Sequence, residues 1–313
     1  MRTALGIDTS NYTTSAAIVT ESGKVLADER MLLSVKPGEK GLRQQEALFQ
    51  HVTRLGDIIE NAYKRLDEKG ISRDTVSVVA VSERPRPVEG SYMPCFLAGI
   101  EAAQAAASAR GIPLYKFSHQ EGHIAAIADE NLEEFLSYHL SGGTCELLKV
   151  AKIGAGYDIE IIGATRDISF GQLLDRIGVR MGYDFPAGGT LDELAGKGTS
   201  SKLMKPIKLD GLSFNVSGLE TQALRLLASE ENAVSNEEIA AELFEKISVL
   251  LRELTEKAIA ETGLDTVVFC GGVSQSNIIR SALADIRGNI IFGEPSSDNA
   301  VGTARLGARM LNG

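Results

Sequence analysis

The spacing of apolar positions changes period several times along the chain, and the changes mark out two α/β layouts in series. The first opens on three strand-like stretches, Thr3–Asp8, Thr13–Val19 and Lys24–Leu32. From Leu42 to Lys69 the residues Leu48, Val52, Leu55, Ile58 and Ile59 recur at helical spacing, which predicts a long amphipathic helix. A strand at Val76–Val81, an alanine-rich helix at Phe96–Arg110 and a strand at Leu114–Phe117 complete this half. The second layout repeats the order with insertions. Strands are expected at Phe135–Leu140, Cys145–Lys152 and Asp158–Ala164, and helices around Gly171–Met181 and from Asn236, read as an N-cap, to Thr262. A buried strand at Thr266–Cys270, a helix at Asn277–Ala284, a strand at Asn289–Phe292 and a last helix from Asn299 to Leu311 follow.

Strands alternating with helices predict mainly parallel sheets joined by right-handed crossovers. No low-complexity linker separates the halves. The expected division is therefore an N-terminal lobe of residues 1–117 and a C-terminal lobe of residues 118–298 with helical insertions, hinged near residue 118. The C-terminal helix, 299–313, is placed to pack back on the first lobe. Two such units facing one another form a cleft of the kind that takes a small ligand.

Charge narrows the partners. With 42 acidic against 32 basic residues the net charge is −10, and the lysines and arginines are spread thinly. A protein that grips a nucleic-acid backbone alone shows a basic stripe, so a nucleic-acid substrate here implies partner subunits that share the phosphate contacts. No run of about 18 apolar residues predicts a membrane span, and the N-terminus lacks the pattern of a signal peptide. The expectation is a cytoplasmic protein. Cys95, Cys145 and Cys270 are too few and too scattered for a disulfide framework or a zinc ribbon.

Four blocks carry candidate chemistry. Gly6-Ile7-Asp8-Thr9-Ser10-Asn11 follows a strand, so Asp8 could hold a metal while Thr9, Ser10 and backbone amides meet phosphate; a plain β-turn uses the same residues. In Ser118-His119-Gln120-Glu121-Gly122-His123 two of the four histidines stand four apart, on one helix face, where both can reach one metal ion; a hydrogen-bonded structural pair has the same spacing. A protease of the zincin kind would need its glutamate directly after the first histidine, and Glu121 is one place too late. Glycine turns recur at Ser141-Gly142-Gly143-Thr144, Ala187-Gly188-Gly189-Thr190 and Gly271-Gly272-Val273-Ser274, letting backbone approach a ligand. Glu294-Pro295-Ser296-Ser297-Asp298-Asn299 precedes the last helix, and Asp298 is either its N-cap or a carboxylate that completes a two-histidine site suited to iron or zinc.

Taken together and in order, these blocks resemble the TsaD family of tRNA threonylcarbamoyladenosine synthases, formerly known as O-sialoglycoprotein endopeptidases. The family's opening motif reads Gly6-Ile7-Asp8-Thr9-Ser10, its histidine helix His119 to His123, and its V-S-G-G loop Leu140-Ser141-Gly142-Gly143. Its aspartate falls on Asp175 and the following glycine turn on Gly188. Its F-S-F-S-G-L stretch resembles Phe214 to Leu219, and its T-D-N sequence matches Ser297-Asp298-Asn299. The resemblance implies two actin-like (RNase H-like) α/β lobes across a nucleotide cleft. It implies one divalent metal, iron or zinc, on His119, His123 and Asp298. It also implies an ATP or acyl-adenylate ligand held by Asp8, Thr9, Ser10, Leu140, Ser141, Gly142, Gly143, Asp175, Gly188, Gly271, Gly272, Ser276 and Asn277. The implied reaction is transfer of threonylcarbamoyl from its adenylate to an adenosine of tRNA, with TsaB-like and TsaE-like subunits or a second copy of the chain as partners and no membrane. The departures are specific. Tyr12 and Thr13 replace acidic residues, Glu83 to Gly90 replaces a G-P-G-L segment, Thr144 replaces a histidine, Ser276 stands where an asparagine is expected, with Asn277 one place late, and Glu220 replaces a lysine. A divergent paralogue that serves as a nucleotide- and metal-binding scaffold, or a carbamoyl transferase on another acceptor, is the alternative these changes raise.

Overall fold

The structure is a computed structural model that describes residues 1–10, 12–35, 42–229, 234–293 and 300–311. In chain order the elements begin β1 (Thr3–Asp8), β2 (Thr13–Thr20), β3 (Val25–Leu32), α1 (Gln44–Glu68), β4 (Val76–Arg84), α2 (Phe96–Arg110), β5 (Leu114–Ser118) and α3 (His119–Ile127). They continue β6 (Glu134–Leu140), β7 (Cys145–Ile153), β8 (Gly156–Ala164), α4 (Phe170–Arg180), α5 (Gly188–Ala195), β9 (Leu209–Asp210), β10 (Ser213–Phe214) and α6 (Ser217–Leu227). Last come α7 (Asn236–Thr262), β11 (Thr266–Cys270), α8 (Asn277–Leu283), β12 (Asn289–Phe292) and α9 (Ala300–Arg309). α5, α6 and the β9–β10 ribbon lie in a stretch where the apolar period is too short to announce them. Ser235, not Asn236, caps α7: its side chain accepts from the Glu238 amide.

The chain divides into two compact units. The first takes in Met1–Leu132, Lys152–Asp158 and α9, the second Glu133–Ala151 and the chain from Ile159 through β12. The division thus falls after α3, where the sequence pattern puts the hinge before it, because α3 packs on α9 and on the β4–β5 edge of the first sheet. Sheet order in the first unit is β3-β2-β1-β4-β5. β1 runs antiparallel to β2 and β2 to β3, while β1, β4 and β5 are parallel. The second unit repeats the plan as β12-β11-β6-β7-β8, with β11 parallel to both β12 and β6 and β6 antiparallel to β7. The parallel pairings follow from helical crossovers; the early strands of each sheet are joined by short turns, which only an antiparallel pair allows.

In the first unit the two sheet faces differ in side-chain size. Leu5, Ile7, Ile18, Val79 and Val81 bury against Leu55 and Ile58 of α1 and Ala103 of α2. On the other face Ala4, Ala17 and Val78 meet Ala300, Ala304 and Ala308 of α9. A Cβ on Gly6 would stand 2.4 Å from the Ala300 carbonyl, so small residues on both surfaces let α9 lie directly on the sheet. The second unit has a larger aromatic core, with Tyr138 stacked on Phe269 and Phe170 on Phe214.

Helix α1 does not bury the face its leucines and valines suggest. Ala47, His51, Leu55, Ile58, Ala62 and Leu66 point inward, while Val52 is 62% exposed. His51 takes the inward place because Thr14 on β2 gives it a partner, Oγ1 to Nδ1 at 2.8 Å. Burial pulls this imidazole down to about 4 from its ordinary 6.5, with the Asp8 carboxylate restoring part and Arg54 adding to the fall. An unfolded histidine takes its proton near 6.5, so between these values the unfolded chain binds more protons and stability falls as pH drops. Between pH 7 and pH 5 this costs the wild type about 2 kcal/mol. Thermal melts will show a larger loss of Tm over that interval for the wild type than for His51→Gln; equal losses would contradict a buried neutral His51.

Candidate functional site

The first unit gathers its polar side chains at the carboxyl ends of its parallel strands, the edge where open α/β sheets carry ligands. Asp8 ends β1, Ser82 lies near the end of β4, and Ser118 ends β5 and opens α3. A capping box starts that helix. The Ser118 hydroxyl accepts from the Glu121 amide at 3.2 Å, while the Glu121 carboxylate accepts from the Ser118 amide at 2.7 Å. The other Glu121 oxygen accepts from the Tyr157 amide at 3.3 Å. Glu121 is therefore an anchor of α3. The S-x-x-E spacing that announces it was legible in the sequence.

With α3 started at His119, its two histidines fall one turn apart on one face. Their ring centroids are 4.1 Å apart and the Nε2 atoms face each other at 2.7 Å. His119 turns its other nitrogen, Nδ1, to Asp8 Oδ2 at 2.8 Å. Asp8 is fully buried. Burial alone would raise its carboxyl, but the His119 charge and hydrogen bonds from His119, Ser10 and Ser82 hold it well below the usual carboxylate range. An ionised Asp8 can only accept, so His119 donates to it from Nδ1. This is the carboxylate–histidine arrangement that sets a metal ligand's tautomer and basicity. Ser82, unnoticed in the sequence, ties Asp8 to α9 through a 2.9 Å contact with Thr303.

Among the described residues, no three His, Cys, Asp or Glu side chains gather so as to hold a metal ion. The histidine pair offers two donors; Asp298, like Asn11, lies outside the described residues. Thr9 turns away from this edge: its hydroxyl donates to the Cys95 carbonyl at 3.0 Å and accepts from the Gly99 amide, fastening α2. Ser10 contributes its amide to Asp8 at 2.8 Å.

In the second unit the glycine turns stand at the carboxyl ends of β6 and β11. After Leu140 the Ser141 hydroxyl accepts from the Gly143 and Thr144 amides, and Gly142 and Gly143 are exposed. Gly171 of α4 lets that helix reach the turn, since a Cβ there would stand 2.5 Å from Gly142 Cα. Gly271 has φ +93° and lies against the Leu140 carbonyl, so it joins the two turns where no side chain would fit. Gly272 has open space where a Cβ would stand, as do Gly142 and Gly188. Asp175 is spent on the third turn, accepting from the Ala187 amide at 2.8 Å; burial raises its carboxyl and the Ala187 and Gly188 amides lower it in part. Ser276 caps α8 and bonds Asp192, leaving Asn277 exposed beside it. Of the expected ligand residues, Gly142, Gly143, Gly272 and Asn277 are therefore exposed, while Thr9, Asp175, Gly271 and Ser276 hold the frame. No helix among the described residues is long and apolar enough to cross a membrane.

Comparison with known proteins gives the family and the fold. Residues 32–304 match the family described as tRNA N6-adenosine threonylcarbamoyltransferase. A protein of that description from Streptococcus pneumoniae (strain Hungary19A-6) is 32% identical over 295 residues, 90% of this chain and 83% of the relative. Among solved structures, component A of the (R)-2-hydroxyglutaryl-CoA dehydratase of Acidaminococcus fermentans superposes with a TM-score of 0.54 at 16% identity, over the whole of both chains. HypF of T. kodakarensis gives 0.62 at 15% identity, covering 99% of this chain, which spans about half (48%) of HypF. A ROK family glucokinase from Streptomyces griseus gives 0.51 at 13% identity, over 97% of this chain and 99% of its own. These likenesses show the actin-like fold.

Proposed function

The chain belongs to the tRNA N6-adenosine threonylcarbamoyltransferase (TsaD) family, and from that premise we propose that it moves threonylcarbamoyl from threonylcarbamoyl-adenylate to an adenosine of tRNA. The observation that carries the reading is the Asp8–His119–His123 chain, with two Nε2 atoms facing each other at 2.7 Å and one imidazole oriented by a buried carboxylate. The facing nitrogens share a proton as they stand; with that proton gone, the two imidazoles would hold a divalent ion, iron or zinc, with Asp298 as its third ligand. Such an ion, when bound, supplies Lewis-acid polarisation of the carbamoyl or phosphate oxygen.

The protein's own groups do the rest. Asp8 fixes the His119 tautomer. The exposed backbone at Gly142 and Gly272 lets the adenylate lie close to the chain, where amides meet its phosphate. With the adenylate held so, N6 of the tRNA adenosine bonds to the carbamoyl carbon, the bond from that carbon to the adenylate phosphate oxygen breaks, AMP departs and N6 gives up a proton. Alignment of the amine with that carbon supplies much of the rate. Partner subunits of the TsaB and TsaE kinds, or a second copy of the chain, belong to this reading. Phe49 and Val52, exposed on the outer face of α1, offer apolar surface to one.

Incubation of the protein with unmodified tRNA, threonylcarbamoyl-adenylate and the partner subunits, followed by mass spectrometry of the nucleosides, tests the proposal. Threonylcarbamoyladenosine is the expected product. Unmodified adenosine in the presence of a stable metal-loaded protein would favour the scaffold alternative that Thr144 and Glu220 raise.

A further inference from the structure

We propose that a groove on the second unit, between the 205–208 segment, the β9–β10 ribbon and the start of α6, grips the phosphodiester backbone of an RNA. The inference rests on the reading of tRNA as substrate and adds to it the surface that holds the polynucleotide.

The groove has a volume of about 570 Å³. Its walls carry Arg166, Lys205 and Lys208, against the single carboxylate Asp210. Along the sequence these cations look dispersed; the fold brings Arg166, from the turn after β8, beside the two lysines. On a chain of net charge −10 this is a local reversal of sign, the complement of a polyanion.

The groove is built to present those charges. Met204 and Ile207 are buried, so the residues that follow each of them, Lys205 and Lys208, stand exposed. The Lys205 amide donates to Gln222 Oε1 of α6 at 2.8 Å, fixing the segment to the helix. The Arg166 amide donates to the Phe214 carbonyl at 2.9 Å, and its guanidinium pairs with Asp210 at 2.5 Å. Among the described residues neither lysine ammonium has an ion-pair partner, so both charges are available. Among the described residues no aromatic side chain lines the groove. It therefore lacks the stacking platform by which bases are taken up, and its chemistry is that of backbone contact.

Its position also fits. Arg166 lies three residues before Ser169, whose hydroxyl donates to the Gly142 carbonyl at 2.8 Å, and Gly171 packs on the same turn. The cationic wall and the glycine turn thus flank one short segment within one unit. A strand of RNA in the groove runs toward the turn proposed to hold the adenylate.

The test is fluorescence anisotropy of labelled tRNA with the full-length protein, alone and with the partner subunits, from about 50 to 200 mM salt. The double variant Lys205→Ala, Lys208→Ala is compared with wild type and with Lys24→Ala, Lys64→Ala, which removes two exposed lysines from the first unit. The groove variant is expected to weaken binding by about 10- to 100-fold near 0.1 M salt and to flatten the slope of log K against log salt by about two. The control variant should bind as the wild type does. Wild-type affinity and slope in the groove variant would overturn this inference and leave the transfer reading intact. No RNA binding by the wild type, even with its partners, would overturn both. Displacement of the RNA by millimolar inorganic phosphate as readily as by unlabelled tRNA would overturn it in favour of a small-anion site.

Discussion

Replacing Gly302 with alanine will destabilise the protein by about 3 kcal/mol and displace the helix that carries both histidines. A Cβ at this position in α9 would stand 1.8 Å from the Gly122 carbonyl oxygen and 2.9 Å from the Ala126 amide nitrogen of α3. Neither atom is the end of a flexible side chain; both belong to helix backbone, so one helix has to move as a body. α9 cannot give way, because its other side lies on the sheet, where Gly6 and Gly307 leave no room either. A Cβ on Gly307 would stand 2.8 Å from Ala80 Cβ. α3 must therefore shift, and with it His119 leaves Asp8. A fall in Tm of about 10 °C is expected on the scale of 2–4 °C per kcal/mol for domains of this size, together with loss of transfer activity. A variant that melts and turns over like the wild type would show that the close helix crossing does not hold the site. The contact falls on the backbone of Gly122, inside the histidine motif.

Much of this was legible in the residues. The strand positions of both sheets follow from apolar period, and the histidine pair from spacing alone, because four residues make a helical turn whatever the surroundings. Sequence pattern failed where a long-range partner decides the outcome. His51 displaced Val52 from the inner face of α1 because Thr14, on a separate strand, offers it a hydrogen bond. Nor does spacing reveal that the hydroxyls of Thr9 and Ser276, both expected at the ligand, bond α2 and Asp192. Asp175 likewise serves the glycine turn. The role of Asp8 in orienting His119 could not be seen, since spacing says nothing of residues 111 apart. The cationic groove was hidden for the same reason: charge counted along the chain misses Arg166 joining Lys205 and Lys208.

Removal of the His119 imidazole has the largest effect expected on activity. His119 touches both Asp8 and His123, so His119→Ala leaves the buried Asp8 carboxylate without its histidine partner and cuts the donor pair to one. Loss of a supporting group around a metal ligand costs about 10- to 100-fold in affinity or activity; loss of the ligand itself should cost more than the upper end of that range. The glycine turns of the second unit are untouched, so binding of the adenylate should survive. The decisive measurement is a single-turnover assay with labelled threonylcarbamoyl-adenylate, enzyme in excess, following label onto tRNA for wild type and His119→Ala. Rapid transfer by the wild type and a loss of more than about 100-fold in the variant, with adenylate still bound, is the predicted result. Equal transfer by both proteins would show that the histidine pair is not the centre of the chemistry.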